Sequence, residues 1–374
     1  MHRHSYLIFF YLIFTACQSG KDVKPDIIQQ SRSTLVSDPN ATIRSIDSVL
    51  YEPTTRGISS SSQIELKLIR QRAYAAIGRM DSVLSAGISI RKDAERAGDS
   101  LSIAKSLLPV RGEVSMADQQ AIVPYLPGAA STFRNERLYY EEAVINGLIG
   151  AIKTREGQFA DAMVHLYHAR DTLERLDSIR PLYAVYMNIG NNLSAMNNPH
   201  PSIDFYRKAR GVAFRLGDSL RQASSWMNEG VAYSEMSLLD SSRMAFEQGI
   251  RFSPSKGGDL IGLQLRYNLA TLEEKGGNLK EAEVNYQMVR DRAAAMGDPV
   301  GVAMANSGLA GVYGATGRSN EAIQLLNASI LQLGSLHLNH YILEQTSKLV
   351  ALHKKAGRYA EALTASERLR RLND

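Results

Sequence analysis

Beyond residue 133 the apolar positions keep a helical spacing, and the whole pattern returns every forty residues. Compact residues stand at Gly150, Gly190, Gly230, Ala270, Ala310 and Val350. Seven positions later come Gly157, Asn197, Ser237, Gly277, Gly317 and Gly357, mostly residues that favour turns. Five further on, Ala162, Ser202, Ser242, Ala282, Ala322 and Ala362 are all small. Four beyond those, Leu166, Tyr206, Phe246, Tyr286 and Leu326 are large, and only Ser366 breaks the series. Small residues that let two helices approach, set against large ones that fill the groove beside them, predict a helical hairpin. A hairpin recurring at a fixed step predicts an all-α solenoid of stacked hairpins, each unit touching mainly its neighbours.

The punctuation between units has its own chemistry. Gly98-Asp99-Ser100, Gly217-Asp218-Ser219, Gly258-Asp259 and Gly297-Asp298-Pro299 each place a glycine before an aspartate. Glycine takes the left-handed position that ends one helix, and aspartate accepts from the first amides of the next. Ahead of the regular array, residues 40–50 predict a short amphipathic helix and residues 63–97 a hairpin turning at 78–81. Residues 107–133 are the least regular, because Pro109, Pro124 and Pro127 interrupt the helical pattern. A kinked, degenerate repeat is the favoured reading there, with a bend between two blocks as the other. Residues 40–133 thus read as degenerate helical repeats and residues 134–374 as the regular array.

The N-terminus has a different character. His2, Arg3 and His4 precede an apolar run over residues 6–14, and Thr15-Ala16 then leads to Cys17, the one cysteine of the chain. A basic start, a short apolar run and small residues at its end read as an export signal over residues 1–16. The run falls well short of the roughly twenty residues that span a bilayer. Residues 17–39, rich in Gln, Ser, Lys, Asp and Pro, read as a flexible tether.

The repeat columns resemble the tetratricopeptide repeat (TPR) family, whose pattern runs N-L-G-x-x-Y-x-x-x-G-x-x-x-x-A with a large residue four later. Asn228, Gly230, Tyr233, Ser242 and Phe246 carry the fullest match, and Ala310, Tyr313, Gly317 and Ala322 carry another. The step of forty exceeds the family's usual 34, which implies longer second helices. In that family the first helix of each hairpin lines a groove that receives protein or peptide. The resemblance places Met187, Asn188, Asn191, Met227, Asn228, Tyr267, Asn268, Thr271, Ser307 and Ser347 along it. Amides offer both a donor and an acceptor, which suits the backbone of an extended peptide, while Met and Tyr suit its side chains. The structural reason for asparagine at this column of the family is the stronger claim on those residues.

Phe14-Thr15-Ala16-Cys17 similarly resembles a bacterial lipobox. That resemblance implies a diacylglycerol on the Cys17 thiol, cleavage before it, and anchoring by acyl chains at about 0.8 kcal/mol per buried CH₂. Gln18 rather than Asp after the cysteine mildly favours the outer membrane, facing the periplasm. The alternative is a plain signal peptide with an incidental cysteine.

Composition adds little to these readings. The chain of 374 residues is 44% hydrophobic and 22% charged with a formal net charge of +5, too mild to call for nucleic acid. Clusters at Arg207, Lys208, Arg210 and Arg215, and at Lys348, Lys354, Lys355 and Arg358, read first as solvated faces. So does Glu273-Glu274-Lys275. His165 and His168 share a helical face, and His337 and His340 lie near a helix start, but neither pair has a third ligand at zinc spacing. Ser102-x-x-Lys105 lacks the companion motifs of penicillin-interacting enzymes. The Gly308-to-Gly317 series lacks the strand and the Gly-Lys-Ser/Thr of a phosphate loop. A non-enzyme with no cofactor and no metal is expected: an exported, lipid-anchored scaffold that binds a protein or peptide. The other readings are the sensory half of a signalling system with a separate transducer, and an accessory factor for an envelope assembly or cell-wall enzyme.

Overall fold

The computed structural model describes residues 24–51, 58–110, 121–255, 260–336 and 338–373. Among these, every regular element is helical. The first unit holds α1 (Lys24–Ser37), α2 (Pro39–Tyr51), α3 (Ser60–Ala76), α4 (Met80–Ala97), α5 (Ser100–Lys105), α6 (Leu126–Asn135) after a 3-10 turn at Val123–Tyr125, α7 (Tyr139–Arg155) and most of α8 (Phe159–Arg175). The second, residues 178–374 with 156–163, holds α9 (Ile179–Ala195), α10 (Pro199–Arg215), α11 (Ser219–Glu235), α12 (Leu239–Phe252), α13 (Leu260–Lys275), α14 (Leu279–Ala295), α15 (Pro299–Ala315), α16 (Ser319–Ser335), α17 (Asn339–Lys355) and α18 (Tyr359–Asn373). Within each unit, successive helices pack antiparallel as hairpins against the next hairpin, the α-solenoid arrangement.

The period of forty divides into two equal halves. Helices α7 to α11 and α14 to α17 each run 17 residues. Three-residue turns join them, and the middle residue of the turn takes a positive φ at Gly157, Asp177, Asn197, Gly217, Ser237, Gly277, Gly297, Gly317 and Gly357. First and second helices are therefore the same length, where a long second helix was expected. At these turns one left-handed residue reverses the chain, and the same link serves both kinds of turn. Asp99, Asp218 and Asp298 cap the following helices through Ser102, Arg221 and Val300 amides. Gly258-Asp259 lies outside the described residues.

The small and large columns meet across each hairpin. A Cβ on Gly190 would overlap the ring of Tyr206, and one on Gly230 would overlap Phe246. Gly308 is covered in the same way by Tyr286 from the preceding hairpin. Tyr206, Phe246, Tyr286 and Leu326 are all buried. These glycines are packing residues, which also disposes of Gly308 as part of a phosphate loop.

Buried carboxylates tie second helices to the first helix of the next hairpin. Glu229 of α11 is 2% exposed and receives Arg207 Nε at 3.0 Å, Arg210, and the Tyr233 hydroxyl at 3.3 Å. Glu273 of α13 receives Arg243 at 2.5 Å and Asn278 Nδ2 at 2.7 Å. Arg210 also lies over the Trp226 ring, 3.5 Å from its centroid. Arg210 and Glu273 are thus largely covered within the stack, while Arg207 pairs with Glu229 from a half-exposed position.

The first unit departs from expectation at its start. From Lys24 the segment read as tether is the helix α1, because Ile27, Ile28, Ser31 and Leu35 recur at helical spacing. Ile27, Ile28 and Leu35 pack on Ile46, Leu66 and Ile69, and Ser31 is buried. The expected helix over 40–50 and hairpin over 63–97 appear as α2 and α3–α4. Pro124 sits in the 3-10 turn and Pro127 in the first turn of α6, so the prolines shorten this hairpin without entering a helix interior. The proposed export signal and Cys17 lie outside the described residues. No described helix is long and apolar enough to cross a membrane.

Candidate peptide groove

In the second unit the first helices α9, α11, α13, α15 and α17 are neighbours, and their outward side chains form one face. Asn191 and Asn228 meet on it. Asn228 Nδ2 donates to Asn191 Oδ1 at 2.9 Å, and the Tyr206 hydroxyl donates to the same oxygen at 3.1 Å. This oxygen then holds two donors, and among the described residues the Asn191 N–H₂ and the Asn228 carbonyl have no hydrogen-bond partner. The pair lines a pocket of about 250 Å³ together with Ser194, Ala195, Tyr206, Val231 and Glu235. Ser194 Oγ donates to Glu235 Oε2 at 2.9 Å. Burial pushes the Tyr206 phenol far above its usual value, and the charge of Glu235 adds to the shift. The hydroxyl is therefore a fixed donor.

A second patch repeats this design two hairpins along the array. The Tyr286 hydroxyl meets Thr271 Oγ1 at 3.1 Å and donates to Glu274 Oε2 at 3.0 Å. Burial raises its pKa as well. Tyr267 packs edge-on against Tyr286, with ring centroids 5.5 Å apart, and its own phenol is raised by burial and then by Glu344 and Glu274. Towards α17, Ser307 Oγ donates to Glu344 at 2.9 Å and accepts from Lys348 Nζ at 2.6 Å.

The expected groove column is only partly on this face. Asn191, Asn228 and Thr271 are, and Ser347 is exposed on α17. Asn188 and Asn268 are half-buried, as Asn228 and Thr271 are, and among the described residues no hydrogen bond continues the ladder from Asn228 to Asn268. Met187, Met227 and Tyr267 are half-buried and pack on the clusters that hold Tyr206, Phe246 and Tyr286. Ser307 is 1% exposed and holds Glu344 and Lys348. The reason is rotational: one residue is about 100° of helix, so the column next to the groove already faces the neighbouring hairpin. Sequence reasoning missed Tyr206, Tyr286, Glu235 and Glu274. The alternation Tyr206, Phe246, Tyr286 in the large column was the available signal, since a buried tyrosine must bring its hydroxyl to a partner.

His165 and His168 both hydrogen-bond to side chains of α7. His165 Nδ1 meets Asn146 Oδ1 at 2.7 Å, and His168 Nε2 meets the buried Glu142 at 3.1 Å. Among the described residues no group of three or more His, Cys, Asp or Glu could hold a metal ion. His337 lies outside them. The basic residues near the C-terminus are engaged too, with Lys355 Nζ on the Gly314 carbonyl at 2.8 Å and Arg358 on Asn320.

No protein-family model matches this sequence, and no curated protein does. Solved structures do match in fold. The signal transduction ATPase PH0952 from Pyrococcus horikoshii, which has a tetratricopeptide repeat sensor, aligns over 94% of this chain and 52% of its own at 11% identity, TM-score 0.68. This chain has the tetratricopeptide-like fold. The apo form of RapI aligns with the TPR-like array over 94% of this chain and 99% of its own, at 14% identity and TM-score 0.64. NprR in complex with its cognate peptide NprX covers 87% and 92% respectively, at 13% identity and TM-score 0.51. At these identities the likeness concerns the TPR-like fold alone.

Proposed function

We propose that the second unit is a peptide-binding scaffold whose site is the face of α9, α11 and α13. The Asn228–Asn191 hydrogen bond carries this reading, because it fixes both amides and leaves the Asn191 N–H₂ and the Asn228 carbonyl for a ligand. A peptide backbone presents the same two groups in complementary sense, and each neutral hydrogen bond contributes about 1 kcal/mol. Side chains already positioned by Tyr206 and Ser194 need little ordering on binding, which favours affinity. A structure of the same fold with a bound cognate peptide, NprR with NprX, supports the choice of a peptide over a small molecule. An immobilised peptide library tests it. Capture should fall at least tenfold in Asn191→Ala/Asn228→Ala with the helical circular dichroism unchanged, and undiminished capture would refute the reading.

We further propose that the array is exported and held at a membrane by a lipid on Cys17, on the strength of the Phe14-Thr15-Ala16-Cys17 pattern. Membrane fractionation of wild type and Cys17→Ala decides this. Release and altered processing of the variant are expected, and identical behaviour of the two would exclude lipidation.

A further inference from the structure

The glutamates of α11 and α13 come in two kinds. Glu229 and Glu273 point into the stack and are neutralised there by Arg207 and Arg210, and by Arg243. Glu235 and Glu274 belong to the groove face, and hydroxyls hold them instead: Ser194 donates to the first and the Tyr286 phenol to the second. Among the described residues neither carboxylate forms an ion pair, although Lys275 adjoins Glu274 in sequence and is exposed. The one other groove glutamate, Glu344, differs because Lys348 Nζ stands 3.4 Å from it.

The place of these two residues in their helices is equally telling. Glu235 is the last residue of α11 and Glu274 the last but one of α13. A helix C-terminus already carries partial negative charge from unsatisfied carbonyls, and that position favours Lys or Arg for stability. Two successive first helices instead carry a groove carboxylate in the last turn, although α13 itself ends in Lys275. Glu274 is also given room, because a Cβ on Gly311 of α15 would come within 2.5 Å of its Oε1. Oriented carboxylates at negative helix ends, without counter-ions, form an anionic strip beside the amide pair.

From this arrangement we infer that the groove selects an extended peptide carrying two cationic side chains, one for Glu235 and one for Glu274. The inference rests on the peptide-binding reading above and names the class of peptide. Adjacent helix axes lie roughly 8–10 Å apart. An extended strand advances about 3.3 Å per residue, so positions two or three apart span roughly 7–10 Å. The favoured occupant therefore has Arg-x-Arg, Arg-x-x-Arg or the lysine equivalents.

The test is an array of immobilised hexapeptides with paired positions set to Arg, norleucine or Glu, probed with purified protein. Wild type should retain Arg pairs spaced by two or three at least tenfold better than norleucine pairs, with the difference shrinking as salt rises. Glu235→Gln/Glu274→Gln preserves shape and hydrogen bonding, so it should still capture peptide while the Arg preference falls towards one. Equal retention of Arg and norleucine by wild type, or an unchanged preference in the double Gln variant, overturns the inference and leaves peptide binding standing. No capture by wild type, or capture unaffected by Asn191→Ala/Asn228→Ala, overturns peptide binding itself and the inference with it.

Discussion

The ring of Tyr206 occupies the space that a side chain on Gly190 would need. Its hydroxyl reaches past the glycine to Asn191. A helix in the repeat core and a donor at the groove thus share one residue. Gly190→Ala gains about 1 kcal/mol of helix propensity. It loses about 2–3 kcal/mol to the displaced ring. The net is destabilisation by roughly 1–2 kcal/mol, read from urea unfolding monitored by circular dichroism. Tyr206→Leu in the same chain should recover part of that loss, a positive coupling between the two sites.

Glu229 is the buried partner of two arginines. Removing it leaves Arg207 half-exposed and Arg210 largely covered, both without their carboxylate. Glu229→Ala should cost about 3 kcal/mol, the low end for breaking a buried pair because Arg207 can rehydrate. The midpoint of urea unfolding measures it.

Ser237 adopts a φ of +60° at the turn between α11 and α12. A side chain pays for that conformation, whereas glycine does not, though glycine gains more freedom in the unfolded chain. Ser237→Gly should stabilise by about 0.5 kcal/mol. The same change at Ser234, inside α11, should destabilise, so the pair of variants isolates the backbone effect.

The tyrosines set the response to alkali. Burial raises the phenols of Tyr206 and Tyr286 in the folded state above the value of about 10 expected when unfolded. A folded value above the unfolded one means this contribution is complete below about pH 10 and is lost as pH rises beyond it. Absorbance at 295 nm should show exposed tyrosines ionising near pH 10 and these two only as helicity collapses. Tyr206→Phe should remove one of the late-ionising groups.

The repeat was legible because packing imposes it locally. Gly190, Gly230 and their large partners sit a fixed sixteen residues apart, so one hairpin suffices to reveal the rule. The turn residues Asn197 and Ser237 were legible for the same reason. The groove was harder, since neighbouring columns on one helix differ by rotation alone. Met187 and Tyr267 are attractive ligand contacts by type, yet their size suits the gap between hairpins and draws them inward. The roles of Arg207 and Glu273 were hidden because their partners come from other helices, where no local pattern announces them. Conversely, α1 escaped notice because four apolar or small positions are diluted among polar ones.

Apart from the passage from α12 to α13, successive helices of the regular array are joined by three-residue links, and α7 to α11 and α14 to α17 share one length. Each such junction thereby accepts the same neighbour, and a segment of forty residues can be removed or duplicated without leaving a seam. Stability would change by about one hairpin and its interface, while the remaining units keep their contacts. Such a chain can be resized by unequal exchange within its own coding sequence, and the number of first helices on the face can vary while each one stays unaltered.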